Sequence, residues 1–193
     1  MKLTIFNLKG GQGKTTLSLA LALEYGYYIV TNDQYSPIEK VLPKKKVKHL
    51  AVDSPLPSVP EDLDLIYDFG GYADRRLIAA VTQSDWVIVP IVYDSPLDMQ
   101  TTIKSIKEIE KHNDKIIIVV NRAKKGIKNK AESVLRTFFN YPTLELRNST
   151  CFVKIVENKI ALSEQIKSSP LLSYHYKPVL KQLSDIQKLI NKE

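Results

Sequence analysis

A glycine-rich segment near the N-terminus contains the residues with the clearest chemical meaning. It is Lys9-Gly10-Gly11-Gln12-Gly13-Lys14-Thr15-Thr16, placed between a short apolar run and a helical pattern. Glycines let backbone N–H groups approach phosphate oxygens closely, and the helix that follows adds the positive end of its dipole. We therefore predict a phosphate-binding loop in which Lys14 contacts the β- and γ-phosphates and the Thr15 hydroxyl contacts Mg²⁺.

The loop departs from the general pattern G-x-x-x-x-G-K-[ST] at one position, because Leu8 stands where that pattern has its first glycine. Gly-Lys-Thr between a strand and a helix nevertheless matches the context that such a loop requires. The alternative interpretation is a glycine-rich turn in front of an ordinary helix.

A carboxylate at the end of a neighbouring strand would complete a magnesium site. Asp68 closes the apolar run 63–68 and is followed by glycines at 70 and 71, so we expect it to hold the metal through water. Asp62 and Asp64 precede or lie within the same run and are interpreted as charges at the strand edge.

Short runs rich in Ile and Val alternate with helical patterns along the chain. The runs cover residues 3–7, 27–31, 47–52, 63–68, 86–92 and 116–120, and the helical patterns cover 13–25, 73–83, 96–112, 128–140 and 179–190. For the helix 96–112, Ser95 suits the cap, Pro96 the first position and Asp98 the first turn. The proline-rich residues 54–60 are expected to form a surface connection between two strands.

Strands this apolar are typical of a parallel sheet that is covered on both faces. We therefore predict an α/β fold, a doubly wound and mostly parallel sheet with helices on both faces, as one domain spanning residues 1–193.

The composition excludes several classes of protein. Of the 193 residues, 44% are hydrophobic and 25% are charged, which is ordinary for a globular domain and excludes disordered and collagen-like chains. No apolar run is long enough to span a membrane, and the first residues do not form a signal peptide. A single cysteine, Cys151, cannot form an intrachain disulfide. We expect a cytoplasmic protein.

Charge is unevenly distributed along the chain. Residues 1–114 contain 13 Lys or Arg and 15 Asp or Glu, a net charge of −2, whereas residues 115–193 contain 15 and 6, a net charge of +9. This asymmetry favours a basic surface for nucleic acid or an anionic membrane. The alternative is a solvated basic surface without a partner.

The segment 9–16 resembles the deviant Walker A box K-G-G-x-G-K-[ST] of the ParA/MinD group of P-loop ATPases. The resemblance implies ATP and Mg²⁺ as cofactors and an ATP-dependent sandwich dimer. In that dimer Lys9 would reach phosphates bound to the other subunit and would act in catalysis together with Lys14. The alternative for Lys9 is a solvated loop lysine.

Two further positions resemble the same family. Its second strand usually ends in D-x-D-P, where Asp33 matches the second Asp, which orients the attacking water; Thr31 and Gln34 depart from the pattern. Asn121 ends the strand that lies near the adenine base in the family, and its amide suits a purine edge. The alternatives are an Asp that caps a turn and an ordinary turn Asn.

The resemblance implies a DNA-partition ATPase of the small type, without an N-terminal helix-turn-helix extension. ATP would close the dimer, the basic C-terminal surface would bind DNA without sequence preference, and a separate centromere-binding protein would stimulate hydrolysis. The protein would then associate with the nucleoid when ATP is bound. Candidate DNA contacts, each of which can also be a solvated side chain, are Lys124, Lys125, Lys128, Lys130, Arg147, Lys154, Lys159, Lys167, Lys177, Lys181, Lys188 and Lys192.

Other functions remain open at this point. A MinD-like positioning ATPase would need a C-terminal amphipathic helix that inserts into lipid, and the last helix has no bulky aromatic residue on its apolar face. A small-molecule P-loop ligase or kinase could use the same fold, as could a binding module that has lost hydrolysis. One cysteine argues against an ATPase of the nitrogenase iron-protein type, which needs paired cysteines.

Overall fold

The computed structural model describes residues 1–71, 74–97 and 99–192, and across them the chain forms seven strands, eight α-helices and one short 3-10 helix, Lys44–Lys46. The strands are β1 (Lys2–Ile5), β2 (Tyr28–Thr31), β3 (Val47–His49), β4 (Leu65–Asp68), β5 (Trp86–Ile91), β6 (Ile116–Ala123) and β7 (Thr143–Arg147). The helices are α1 (Lys14–Tyr25), α2 (Ile38–Val41), α3 (Arg76–Thr82), α4 (Met99–Ile109), α5 (Ile127–Leu135), α6 (Cys151–Asn158), α7 (Leu162–Gln165) and α8 (Pro170–Ile190).

The strands form one sheet in the order β3-β2-β4-β1-β5-β6-β7, and every neighbouring pair is parallel. The chain builds the sheet outward on both sides of β1, so a crevice opens at the carboxyl ends of the central strands. Asp68, the last residue of β4, lies in register with Ile5 of β1 and Thr31 of β2. The predicted fold class, a doubly wound parallel α/β sheet, is confirmed.

Hydrophobic cores lie on both faces of the sheet. Ile29 and Ile66 pack into the core beneath α1, α6 and α8, whereas their neighbours Val30 and Tyr67 pack into the core beneath α3, α4 and α5. Successive strand residues point to opposite faces, so a strand that is covered twice must be apolar at nearly every position. This explains the continuous apolar runs in the sequence.

Some element boundaries differ from the prediction. The strand expected at 47–52 ends at His49, and the helix expected at 128–140 ends at Leu135. Pro96 and Leu97 form a turn in front of α4 rather than its first residues. Asp98 and residue 73, which the predictions included, lie outside the described residues.

Strand β7 was not predicted, and its place in the sheet explains why. It forms one edge of the sheet and pairs with β6 alone, so most of its residues are only partly buried and no apolar run marks them. Residues 54–60 connect β3 to β4 without regular structure, as predicted.

Candidate functional site

The predicted phosphate loop leads from β1 into α1 at the carboxyl end of the sheet. Gly11 and Gly13 have φ angles of +74° and +85°, a region that favours glycine. Gly13 is the residue in front of α1, and a Cβ atom at this position would overlap the side-chain amide of Asn121. Glycine is therefore required here by backbone conformation and by space, and the loop ends at the positive end of a 12-residue helix, where an anion would be stabilised.

The side chain of Asn7, two residues after the end of β1, anchors the start of the loop to neighbouring elements. Its buried amide Nδ2 donates 3.0 Å hydrogen bonds to the carbonyl oxygen of Pro90 and to Oγ1 of Thr102. Its Oδ1 accepts a 3.0 Å bond from the N–H of Lys9. Sequence reasoning missed Asn7, although a polar residue that ends an apolar run next to a glycine-rich loop is a usable signal.

Two further contacts fix the loop at its flanks. The N–H of Leu8, which stands where the general pattern has its first glycine, donates to Oγ of Ser105 on α4 over 2.9 Å. The buried Gln12 side chain accepts a 2.6 Å bond from the N–H of Val92 and donates to the carbonyl of Gly10. The loop is thus held by a side chain of α4 and by the backbone that follows β5.

Lys14 lies at the centre of the site. Its ammonium donates to the carbonyl oxygens of Asn7 at 3.0 Å and of Lys9 at 3.4 Å. Burial lowers the pKa of Lys14, and the charges of Asp68 and Asp33 oppose that shift. A cation with two carbonyl partners in a buried position suits the binding of a phosphate oxygen, which would supply a full negative charge.

Thr15 and Asp68 lie together, as the prediction of a metal site requires. Oγ1 of Thr15 donates to Oδ2 of Asp68 over 2.9 Å, and Oγ of Ser18 donates to Oδ1 over 2.9 Å. Burial raises the pKa of Asp68 to about 6, while the two hydroxyl bonds and Lys14 act in the opposite direction.

These donors fit Mg²⁺. A hydroxyl whose proton points at a carboxylate presents its lone pairs outward, and Mg²⁺ prefers oxygen ligands and retains several waters. Thr15 could therefore bind the metal directly and Asp68 through water. Among the described residues, no three His, Cys, Asp or Glu side chains cluster as a dedicated metal cage.

Asp33 and Lys9, the other predicted catalytic residues, lie at the edge of the same crevice. Oδ1 of Asp33 accepts a 3.0 Å bond from the N–H of Tyr35, so this carboxylate caps the turn after β2. Its charge opposes the lowering of the Lys14 pKa that burial causes. Lys9 is half-buried. The catalytic role of both side chains stays a prediction.

A cavity of about 390 Å³ opens beside the loop. Gly13, Thr16 and Asn121 form one wall. Asn121 is buried, and its Nδ2 donates to the carbonyl of Gln12 over 2.9 Å while its Oδ1 accepts from the N–H of Arg122. The amide that was predicted to contact a purine is thus held firmly at the cavity, beside the phosphate loop.

The opposite wall of this cavity comes from residues that sequence reasoning missed. Val153 and Val156 of α6 are exposed apolar side chains, and with Phe152 they give the cavity an apolar side. Asn148 and Ser149, between β7 and α6, add polar groups. Exposed apolar residues that line a cavity indicate a place for a planar ligand group. The helical spacing of 152, 153 and 156 was the signal available in the sequence.

Solved structures share this architecture over nearly the whole chain. A variant of McdA from Cyanothece in complex with ATP has a TM-score of 0.65 at 14% identity, covering 100% of this chain and 97% of that one. The septum site-determining protein MinD of Pyrococcus horikoshii with Mg-ADP has a TM-score of 0.65 at 17% identity, covering 98% and 96%. A putative plasmid partition protein of Borrelia burgdorferi bound to AMPPNP has a TM-score of 0.54 at 16% identity, covering 95% and 98%.

No protein-family model matches the sequence, and no curated protein matches it. At identities of 17% and below, the likeness to the solved structures establishes a common fold.

Proposed function

We propose that this chain, which has the fold of ParA/MinD-type P-loop ATPases, binds and hydrolyses ATP with Mg²⁺ and uses the nucleotide to control binding to DNA. The observation that supports this most strongly is the cluster of Lys14, Thr15 and Asp68 at the start of α1. A buried ammonium and a hydroxyl–carboxylate pair stand there next to a cavity large enough for a nucleoside.

Each residue has a distinct task in the proposed reaction. Lys14 binds phosphate oxygens in place of the two carbonyl groups it now contacts, and Lys9 adds a second cation from the other subunit of an ATP-bound dimer. Fixed cations stabilise the charge that develops in phosphoryl transfer. Asp33 orients the attacking water. Thr15 would hold Mg²⁺ directly and Asp68 would hold it through water, and the metal would neutralise phosphate charge.

The base would occupy the cavity between the loop and α6. Phe152, Val153 and Val156 supply apolar surface, and Asn121 supplies an amide for the edge of a purine. The three solved structures described above are bound to ATP, Mg-ADP and AMPPNP, which supports a nucleotide as the ligand.

The DNA-binding part of the proposal rests on a basic groove between α8, β7 and the loop after β6. Two adjoining cavities of about 640 and 380 Å³ form it. Its basic lining residues are Lys124, Lys125, Lys128, Arg147 and Lys181, and they outnumber the acidic ones, Glu145 and Asp185. Lys128 pairs with Glu132, whereas the part of the chain that the structure describes contains no ion pair for the other four. Unpaired exposed cations are available for phosphate contacts, which are independent of base sequence.

The last helix bears on the membrane alternative. Lys177, Lys181 and Lys188 are exposed along α8, but its apolar residues Val179, Leu183, Ile186 and Ile190 are fully covered by the sheet. Insertion into lipid would require the helix to leave its core. Within the described residues, no helix combines the length and apolarity needed to cross a bilayer.

Binding to a random-sequence DNA duplex tests this proposal, with ATP–Mg²⁺ and with ADP–Mg²⁺ over about 50–200 mM salt. We expect binding with ATP alone, weakening steeply as salt rises. The double variant Lys124→Ala/Lys125→Ala should lower the salt slope by about 2. The matched control, Lys44→Ala/Lys45→Ala, removes two exposed lysines at the opposite edge of the sheet and should leave the slope unchanged.

Absence of DNA binding in both nucleotide states would contradict the DNA part of the proposal and would direct the next test to anionic vesicles. Hydrolysis is tested separately by phosphate release. Asp33→Ala should retain ATP binding but lose turnover by about 10²–10⁴-fold. Unchanged turnover would refute the assigned role of Asp33.

A further inference from the structure

Three side chains that no sequence motif singles out form a buried polar cluster next to the proposed site. They are Asn32, which directly precedes Asp33, and Asp74 and Arg76, which follow the Gly70–Gly71 turn at the end of β4. Asn32 is 4% exposed, and the side chains of Asp74 and Arg76 are 5% and 8% exposed. Such burial of a charged pair requires an explanation.

Asn32 connects the two segments directly. Its Oδ1 accepts a 2.8 Å hydrogen bond from the N–H of Gly70, and its Nδ2 donates a 2.7 Å bond to Oδ2 of Asp74. The amide thus holds the turn after β4 against the end of β2.

Arg76 completes the cluster and orients the carboxylate. Its Nη2 and Nε donate to the two oxygens of Asp74 over 2.7 and 2.9 Å, and its backbone N–H donates to Oδ1 over 2.8 Å. Its Nη1 reaches the carbonyl oxygens of Ala51 at 2.7 Å and Ser54 at 3.0 Å. One guanidinium therefore joins the turn after β4 to the loop after β3.

The Gly70–Gly71 turn lies against the phosphate loop. A Cβ atom at Gly71 would come within 2.9 Å of the carbonyl oxygen of Leu8 and 3.3 Å of Nζ of Lys14. A shift of the turn would change the surroundings of Lys14, and a shift of Asn32 would move Asp33. The cluster therefore sets the position of Asp33 and of the Gly70–Gly71 turn relative to Lys14, on both sides of the proposed site of the terminal phosphate.

Energetics support a positioning role over simple stabilisation. A buried ion pair commonly contributes no more stability than apolar residues of similar volume, because desolvation offsets the Coulombic attraction. The bidentate pair instead fixes the orientation of Asp74, because the planar guanidinium of Arg76 can bind both carboxylate oxygens in only one arrangement.

We propose that Asn32, Asp74 and Arg76 are positioning residues for hydrolysis, holding the Gly70–Gly71 turn and Asp33 in register with Lys14. This inference rests on the proposed ATPase function. It predicts that disturbing the cluster lowers kcat while leaving the affinity for nucleotide nearly unchanged, because the loop that grips the phosphates is anchored elsewhere, through Asn7 and Ser105.

The test compares two adjacent arginines with the same substitution. Arg76→Lys keeps the charge but cannot form the bidentate pair, and kcat for ATP hydrolysis should fall by about 10–100-fold. Arg75→Lys is the matched control: Arg75 is 74% exposed, and its nearest carboxylate oxygen, on Asp53, lies 3.9 Å away. Its kcat should match the wild type. The Kd for ADP should stay within about twofold in both variants.

A second variant keeps the inference falsifiable if Arg76→Lys does not fold. Asn32→Ala leaves the ion pair in place but removes the acceptor of the Gly70 N–H. It should lower kcat similarly and accelerate hydrogen exchange at the Gly70 amide. Wild-type kcat in Asn32→Ala, or a parallel loss of ADP affinity, would overturn the positioning role alone. A wild-type protein that binds ATP without hydrolysing it would instead overturn the proposed hydrolysis and, with it, this inference.

Discussion

Oγ1 of Thr15 donates a 2.9 Å hydrogen bond to Oδ2 of Asp68, although 53 residues separate them in the chain. The bond joins the first turn of α1 to the end of β4 and turns the lone pairs of the hydroxyl toward the crevice. Two residues that were predicted to share a metal site are thus neighbours in space.

Asp68→Asn should abolish the effect of Mg²⁺ on nucleotide affinity. An amide cannot hold a metal-bound water as a carboxylate does, so ADP should bind equally with and without Mg²⁺. Titration calorimetry with and without EDTA measures this. Asp62→Asn, an exposed carboxylate just before the same strand, is the control and should retain the Mg²⁺ dependence. An Mg²⁺ effect of wild-type size in Asp68→Asn would rule out Asp68 as the metal-binding carboxylate.

Gly13→Ala should abolish nucleotide binding. The added methyl group overlaps the Asn121 amide, and the φ of +85° costs about 1–2 kcal/mol for any residue with a Cβ atom. Gly26→Ala provides the comparison, because Gly26 has a φ of +86° at the other end of α1 but only an ordinary contact with the flexible end of Lys46. Gly26→Ala should lose stability in urea unfolding because of its φ angle alone, and Gly13→Ala should lose more because of the added overlap with Asn121. Nucleotide binding by Gly13→Ala at wild-type strength would show that the Asn121 wall is not part of the site.

Ser105→Ala should weaken nucleotide binding although Ser105 lies on α4, outside the phosphate loop. It leaves the N–H of Leu8 without its acceptor, and a partly buried unsatisfied donor costs about 1–3 kcal/mol. A lower melting temperature together with a higher Kd for ADP is the expected result. Thr101→Ala, on the exposed face of the same helix, should change neither quantity. Equal behaviour of the two variants would mean that α4 does not hold the loop.

Lys9→Ala should prevent ATP-dependent dimerisation and leave most of the nucleotide affinity intact. The reason is that Lys9 is proposed to bind phosphates of the other subunit, while Lys14 binds those of its own. Analytical ultracentrifugation with a non-hydrolysable ATP analogue measures the dimer, and Lys40→Ala on the exposed face of α2 controls for the loss of a charge. Dimers of wild-type strength would contradict the proposed role.

The Asp74–Arg76 pair should make the free energy of unfolding depend on pH. Hydrogen bonds and the charge of Arg76 lower the pKa of Asp74 to about 2, below its value in the unfolded chain. The folded state therefore binds fewer protons than the unfolded state between about pH 4 and pH 2, so this contribution is complete above pH 4 and is lost as pH falls toward 2. From the shift it amounts to about 2 kcal/mol. The stability difference between wild type and Asp74→Asn, measured by urea unfolding, should shrink over that range. If the stability difference between wild type and Asp74→Asn stayed constant over this pH range, the assigned pKa shift of Asp74 would be wrong.

Short sequence patterns were sufficient to predict the features that depend on residues adjacent in the chain. Residues 10–16 are adjacent in sequence, so their spacing alone specifies a loop between a strand and a helix. Asp68 could be placed because a carboxylate that ends a buried strand must lie at the carboxyl edge of a parallel sheet. The edge strand β7 escaped prediction because partial burial leaves no continuous apolar run. Helix α6 was missed although residues 152, 153 and 156 have helical spacing.

The sequence by itself determined the parallel α/β sheet, the phosphate loop and the carboxylate at its side, because periodicity and short spacings are local properties of the chain. Only the tertiary structure decided that Ser105 holds Leu8, that Asn32, Asp74 and Arg76 lock the Gly70 turn, and that α6 closes a cavity beside Gly13. The hydrogen bonds among these contacts join residues up to 97 positions apart. Their partners are chosen by the strand order and by the packing of helices on it, and no local spacing encodes that choice.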